Sequence, residues 1–199
     1  MIDISVKVDD EDFSKAMADL RHIEGGIETA TIRAINRTVD GVKTDLSTLA
    51  RERYNVKLKT VTARIKTYKA TKLKYTGEVR STGKPIPLYL FGPKPSDPRP
   101  TQRPQITIEV LKGTRGPVGG GAFVARMKSE HVGIFWREKI GDRKVSRLPI
   151  SERFGPRLEN LYASELTDNG RLQKSADERM KKNFEHNVDY LFRKKNEMV

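Results

Sequence analysis

The stretch Ile27-Glu28-Thr29-Ala30-Thr31-Ile32-Arg33-Ala34-Ile35-Asn36-Arg37-Thr38-Val39-Asp40-Gly41-Val42-Lys43-Thr44-Asp45-Leu46-Ser47-Thr48-Leu49 decides the fold. Ile35, Val39, Val42, Leu46 and Leu49 recur at fours and threes, so one face of an α-helix collects them. Upstream, Phe13, Met17, Leu20, Ile23 and Ile27 keep a similar spacing. Gly25-Gly26 interrupts the run at a cost of ~1 kcal/mol per residue against alanine, which leaves one long amphipathic helix or two. The acids Asp9-Asp10-Glu11-Asp12 sit where a helix N-terminus is electropositive. A calcium loop is the poorer reading, since the cluster lacks the spacing and central glycine. The apolar stripe is expected to be core, with an inter-subunit seam along its outer part as the lesser alternative.

Working outward, Ile4, Val6 and Val8 alternate with Ser5 and Lys7 as a half-buried strand does. Thr60 to Lys66 reads as a short helix capped by Thr60. From Thr67 to Arg80 the period becomes two, through Tyr68, Ala70, Leu73, Tyr75 and Val79, giving two strands with a break near Ala70-Thr71-Lys72. Five prolines in residues 92–104 predict an extended loop, because proline fixes φ and lacks the amide donor. A polyproline ligand is the weaker reading of that stretch. Ile106, Ile108 and Val110 alternate as a strand, and Gly113–Gly121 reads as a loop. Phe123–Met127 and His131–Arg137 form a strand pair. Gly155-Pro156 reads as a turn with its proline at the first helical position, before a short helix through Leu158, Leu161 and Tyr162. Leu172, Ala176, Met180, Phe184, Val188 and Leu191 predict a C-terminal helix over roughly 168–195. Lys174, Arg179, Lys181, Lys182, Lys194 and Lys195 occupy its opposite face.

The expected fold class is therefore α+β: a long N-terminal amphipathic helix packed on an antiparallel β-sheet, with extended loops and a C-terminal helix. The expected organisation is one α+β domain over 1–165, with a proline-rich loop at 92–104 and a glycine-rich loop at 112–121, then a basic amphipathic helix over 166–199. A length of 199 residues fits one domain. Hydrophobic residues are only 36% and charged residues 33%, so the core is modest and some surfaces are expected to be covered by partners.

The formal net charge of +13 favours a phosphate-rich or acidic-protein neighbour, because summed charge acts at long range on association. It is unevenly placed: residues 1–30 hold eight acids and three bases, and residues 51–80 hold ten bases and two acids. A solvated basic face and an anionic partner have equal claims on that block. If a partner is the reason, Lys57, Lys59, Arg64, Lys66, Lys69, Lys72 and Lys74 are the contact candidates.

Catalytic chemistry lacks parts. There is no cysteine, which excludes disulfides, zinc–thiolate sites, iron–sulfur ligation and thiol nucleophiles. His22, His131 and His186 fall in separate elements, with no paired-histidine zinc motif. Gly119-Gly120-Gly121 runs into a strand, and Gly83-Lys84 is followed by Pro85, so neither presents a helix N-terminus to a phosphate. No Gly-x-Ser-x-Gly elbow occurs. Nothing pairs Glu130, Glu138 or Glu152. No catalytic, cofactor-binding or metal residues are expected, and no cofactor. Tyr54, Tyr68 and Tyr75 interleave with bases, yet no nucleic-acid-reading motif accompanies them, which leaves only non-specific backbone contact. No run approaches ~18 apolar residues, and Met1-Ile2-Asp3-Ile4-Ser5 lacks the marks of a signal peptide; the expectation is a soluble chain made inside the cell, with no membrane partner.

Four segments, taken in order, carry a resemblance. They are Arg33-Ala34-Ile35-Asn36-Arg37-Thr38; Pro85-Ile86-Pro87-Leu88-Tyr89-Leu90-Phe91-Gly92; Gly121-Ala122-Phe123-Val124-Ala125-Arg126-Met127 continuing to Gly133-Ile134-Phe135-Trp136-Arg137; and Leu148-Pro149-Ile150 through Phe154-Gly155-Pro156. Together they resemble the minor tail protein Z family of long-tailed bacteriophages and prophages, over about residues 27–162. The resemblance implies a structural virion protein that completes the tail at its head-proximal end, supports head–tail joining and DNA passage, and has no catalytic residues. It also implies a homo-oligomer, a sixfold ring, that meets other tail and neck proteins such as the tail terminator after assembly in the host cytoplasm. The basic block then faces phage DNA in the lumen or an acidic neighbouring ring. Pro85 and Pro87 would shape a loop, while Phe123, Phe135 and Trp136 fill core; Phe135 and Trp136 are adjacent, so on a strand one of them must face outward. The first 26 residues, the proline-rich stretch and the chain after about Thr167 lie outside these motifs. The alternative function is a non-specific double-stranded DNA-binding protein.

Overall fold

A computed structural model describes residues 3–9, 14, 25–98, 105–119, 121–137, 149–160, 162 and 171–196. The order of elements is β1 (Asp3–Val6), α1 (Gly26–Arg53), α2 (Leu58–Thr62), β2 (Ile65–Tyr68), β3 (Gly77–Ser81), β4 (Pro85–Pro87), a 3-10 helix (Leu88–Phe91), β5 (Thr107–Glu109), β6 (Arg115–Pro117), β7 (Phe123–Arg126), β8 (Val132–Arg137), β9 (Ile150–Glu152), β10 (Phe154–Arg157) and α3 (Arg171–Asn196). This is the α+β class expected: a long helix near the N-terminus, small antiparallel sheets and a C-terminal helix. Two compact units make up the chain. The first comprises Met1–Leu46, Ile65–Thr82 and Tyr162–Val199, and the second Ser47–Arg64 and Gly83–Leu161.

In the first unit, β1, β3 and β2 form an antiparallel sheet in that order. Alternation puts Ile4, Val6, Ile65, Gly77, Val79 and Ser81 on the buried face. α1 begins where the sequence left one helix or two open. Gly25 takes φ +63°, and its carbonyl accepts the Thr29 amide at 3.1 Å and the Thr29 hydroxyl at 2.8 Å. The glycine pair therefore opens this helix. The apolar run Phe13, Met17, Leu20 and Ile23 lies outside the described residues.

The buried face of α1 is wider than its apolar stripe. Ala30, Ala34, Ile35, Val39, Val42, Leu46 and Ala50 are buried, joined by Thr31, Thr38 and Ser47. Ile35 and Val39 lie on the sheet at Gly77, where a Cβ would stand 2.5 Å from Val39 Cγ2 and 2.7 Å from Ile35 Cγ2. Only a glycine admits so close a helix–strand approach. Thr38 meets α3 instead: it accepts a hydrogen bond from Asn183 Nδ2 at 2.9 Å and donates to Met180 Sδ at 3.6 Å. Gly41 leaves room for Arg179, whose Nη2 reaches Asp45 Oδ2 at 2.6 Å. Ala176, Met180 and Phe184 are the buried residues of α3, at the spacing its sequence predicts. Gln173 Nε2 donates to the Ser5 carbonyl at 3.0 Å, so α3 occupies the outer edge of β1. Tyr162 is fully buried and donates to the Leu46 carbonyl at 2.7 Å; burial pushes its phenol pKa well above the usual tyrosine value.

The second unit joins β4 to β10, β5 to β6, and β7, β8 and β9 in order, all antiparallel. Ile106, Val124 and Ile134 centre a cluster with Leu88, Tyr89, Ile108, Val118, Ala122 and Val132. The adjacent aromatics of β8 divide as strand geometry requires. Phe135 faces away from that cluster, yet is buried beneath Phe123 and His131, with ring centroids 6.4 and 6.3 Å away. Trp136 is half-buried, and the Arg153 guanidinium stacks 3.4 Å from its ring centroid.

Three local expectations are corrected. The short helix is Leu58–Thr62 with Lys57 at its N-cap, and Ile65–Tyr68 alternates as a strand, so Thr60 caps nothing. Within the glycine-rich stretch, Arg115–Pro117 pairs with Thr107–Glu109, because Arg115 bonds the Gly92 and Thr107 carbonyls and Glu109. Gly155-Pro156 lies inside β10, not at a helix start. Its pairing with β4 is irregular between Phe154 and Arg157, as expected where Pro156 has no amide to donate. Gly155 is needed there because a Cβ would meet the Phe91 ring at 2.7 Å.

The helix–sheet contact at Gly77 makes a direct test. Gly77→Ala forces a methyl group onto Ile35 and Val39, an overpacking that costs ~1–3 kcal/mol. Urea unfolding should show a lower midpoint with an unchanged slope; a midpoint equal to wild type would contradict the close approach.

Candidate anionic-partner surface

The predicted contact residues fall into two groups. Lys66, Lys69, Lys72 and Lys74 belong to the first unit, on the hairpin made by β2 and β3, whereas Lys57, Lys59 and Arg64 belong to the second, around α2. Lys57 and Lys59 are exposed. Arg64 is half-buried and donates from Nη1 to the Thr60 carbonyl at 2.9 Å, closing the end of α2; burial pulls its pKa below the usual arginine value. These two groups are adjacent in sequence without forming a common element.

The hairpin is the more developed surface. Thr71 and Lys74 exchange backbone hydrogen bonds at 2.9 and 3.1 Å, leaving Lys72-Leu73 at the corner. Ala70, just before it, is gripped by one side chain of α1: its amide donates to Asn36 Oδ1 at 2.7 Å and its carbonyl accepts from Asn36 Nδ2 at 3.2 Å. Leu73 is 98% exposed, Tyr68 46% and Tyr75 40%.

Its charges are partly spent. Lys69 Nζ pairs with Asp40 Oδ2 of α1 at 2.8 Å. On the outer face of the sheet a ladder runs from Lys74 to Glu78 at 2.8 Å, from Glu78 to Arg80 at 2.6 Å, and from Arg80 to Asp3 at 3.3 Å. Arg80 also lies 5.4 Å from the Tyr68 ring centroid. Lys66 and Lys72 are exposed and make no ion pair among the described residues. Sequence reasoning missed Asp40, Glu78 and Asn36, which lie far along the chain or look like ordinary helix and strand positions. It also read Leu73 as a strand residue; the corner carries no Asn-Gly signal, and neither corner residue has a positive φ.

Elsewhere, His131 Nε2 lies 2.9 Å from Glu152 Oε1, across the space Gly133 leaves open. Among the described residues no group of three His, Asp or Glu side chains could hold a metal ion. No described helix is long and apolar enough to cross a membrane.

Two measurements check this surface. Asn36→Ala strands both polar groups of Ala70, a loss of ~1–3 kcal/mol that urea unfolding reads directly. Glu78 responds to pH. Hydrogen bonding from Lys74, then the nearby Arg80 and Lys74 charges, outweigh desolvation and hold its carboxyl below the ordinary 4.5. Its contribution is thus present above that pH and is lost as pH falls through the lowered value. The stability gap between wild type and Glu78→Gln should narrow below about pH 4.5; a gap that stays constant down to about pH 2 would remove the ladder as a stabilising feature.

Comparison with known proteins agrees with the helix, strand and loop motifs now placed. No curated protein and no solved structure matches the chain. A family model described as prophage minor tail protein Z matches residues 12–196 of the 199. The match includes α1, α2, β2 to β10 and all of α3, and begins after β1. The chain belongs to the prophage minor tail protein Z family and is a structural protein of the phage tail, placed in the virion among other tail proteins.

Proposed function

We propose that this chain is a non-catalytic tail-completion protein, acting at the head-proximal end of the tail and supporting head–tail joining and DNA passage. The observation that carries this reading is the family match across nearly the whole chain. In this reading the protein works as a homo-oligomer, a sixfold ring against neck proteins such as the tail terminator, after assembly in the host cytoplasm. Repeated heterologous contacts close into a ring when their rotation closes. A chain that is 33% charged and 36% hydrophobic is consistent with it, since such a subunit gains burial by assembling.

The second reading, non-specific binding of duplex DNA, draws on Lys57, Lys59, Lys66 and Lys72, which are exposed and unpaired among the described residues. Each neutralised phosphate would add roughly −0.9 to the log–log salt slope of binding.

Deletion of the gene from its phage tests the first reading. Electron microscopy of the lysate should show separate filled heads and tails, or joined particles that do not infect, and added purified protein should restore the titre. Normal infectious particles without the gene would overturn tail completion and leave the DNA-binding alternative.

A further inference from the structure

The corner of the β2–β3 hairpin combines features that point to one kind of partner. Leu73 is 98% exposed, flanked by Lys72 and Lys74, with Tyr75 at 40% exposure beside it. A leucine so exposed in a structured turn gains nothing where it stands. It is also held in place: the Thr71–Lys74 backbone pair closes the corner, and Asn36 fixes Ala70 at both its amide and its carbonyl. An apolar knob fixed before association loses little freedom on docking.

The charges say what surrounds the receiving site. Lys72, next to Leu73 in the chain, has no acidic partner among the described residues, so the knob arrives with uncompensated positive charge beside it; Lys66, which also makes no ion pair among them, lies at the other end of β2, opposite Arg80. A polyanion is a poor match. Phosphates offer Leu73 no apolar contact, and the sheet's outer face presents Glu78 and Asp3 among its bases.

We propose that this hairpin corner is a docking knob for another tail protein, inserting Leu73 into an apolar notch rimmed by carboxylates that take Lys72. The proposal rests on the tail-completion reading for the place where that partner is found, and narrows the anionic neighbour to a protein surface. A buried leucine contributes roughly a 10- to 100-fold gain in affinity.

The test uses the full chain as wild type, Leu73→Ser and Leu73→Met, with particles from the gene-deletion lysate as probe. Cosedimentation with those particles reads binding, and restored titre reads function. Leu73 touches little of its own protein, so the variants should melt with wild type. Leu73→Ser should bind the particles 10- to 100-fold more weakly, Leu73→Met should recover most of the binding, and Lys72→Glu should weaken it further in low salt than in high. Binding indifferent to Leu73 overturns the proposal. So does Leu73→Ser losing retention on random-sequence duplex DNA, which would put the knob into a groove. A change in the oligomeric state of the pure protein on Leu73→Ser also overturns it, because the occupant would be a second copy. Failure of the wild type to restore titre, with binding still dependent on Leu73, removes the tail-completion reading and leaves the knob standing.

Discussion

The first unit is organised around the seat of α1 on β3. Ile35 and Val39 reach the strand at Gly77, a distance that no other residue there would allow. With the helix that close, the next position, Asn36, comes within hydrogen-bond reach of Ala70 and supplies both of its missing partners. The hairpin is thereby fixed to α1 at its far end as well as along its strands. The opposite row of the same helix carries Thr38 and Gly41, which receive Asn183, Met180 and Arg179 of α3. One helix thus sets the sheet, the hairpin corner and the C-terminal helix, through one glycine on a strand and one within the helix itself. The segment Ala34-Ile35-Asn36-Arg37-Thr38 accordingly has a structural reason at four of its five positions: Ala34 and Ile35 are buried, and Asn36 and Thr38 make the polar contacts.

Much of this was legible because periodicity reports burial. The 3.6-residue pattern located α1 and α3, and the period-two alternation located β1 and β5. Legibility failed where a local signal was overruled by distant partners. Gly113–Gly121 has the composition of a loop, yet Arg115 collects two carbonyls and a carboxylate and holds β6 in a ladder. Gly155-Pro156 has the chemistry of a helix start, yet the Phe91 ring requires that glycine inside a strand. Gly92 stands 23 positions before Arg115, and Phe91 is more remote still from Gly155, so neither partner falls within a window of local propensity.

The candidate surface was legible as charge and illegible as geometry. Ten bases in residues 51–80 are obvious from the sequence. Their use is not, because Asp40 lies in a helix and Glu78 in a strand that the sequence gives no reason to join to particular lysines. Equally hidden was the division of the block between two compact units, since units assembled from separated segments do not announce themselves along the chain.

Spreading the basic block in this way changes what it can do. The net charge still acts as a whole, attracting an acidic neighbour from a distance and aligning the encounter. At contact, however, exposed ion pairs contribute little each, typically ~0–1 kcal/mol, and two of these lysines, Lys69 and Lys74, already have a partner. Long-range attraction and short-range discrimination therefore fall to different residues. Lysines bring a partner near; a fixed apolar group such as Leu73, which salt does not screen, can decide whether it stays. Leu73 stands almost wholly in solvent at a braced corner, where it is available to make that contact.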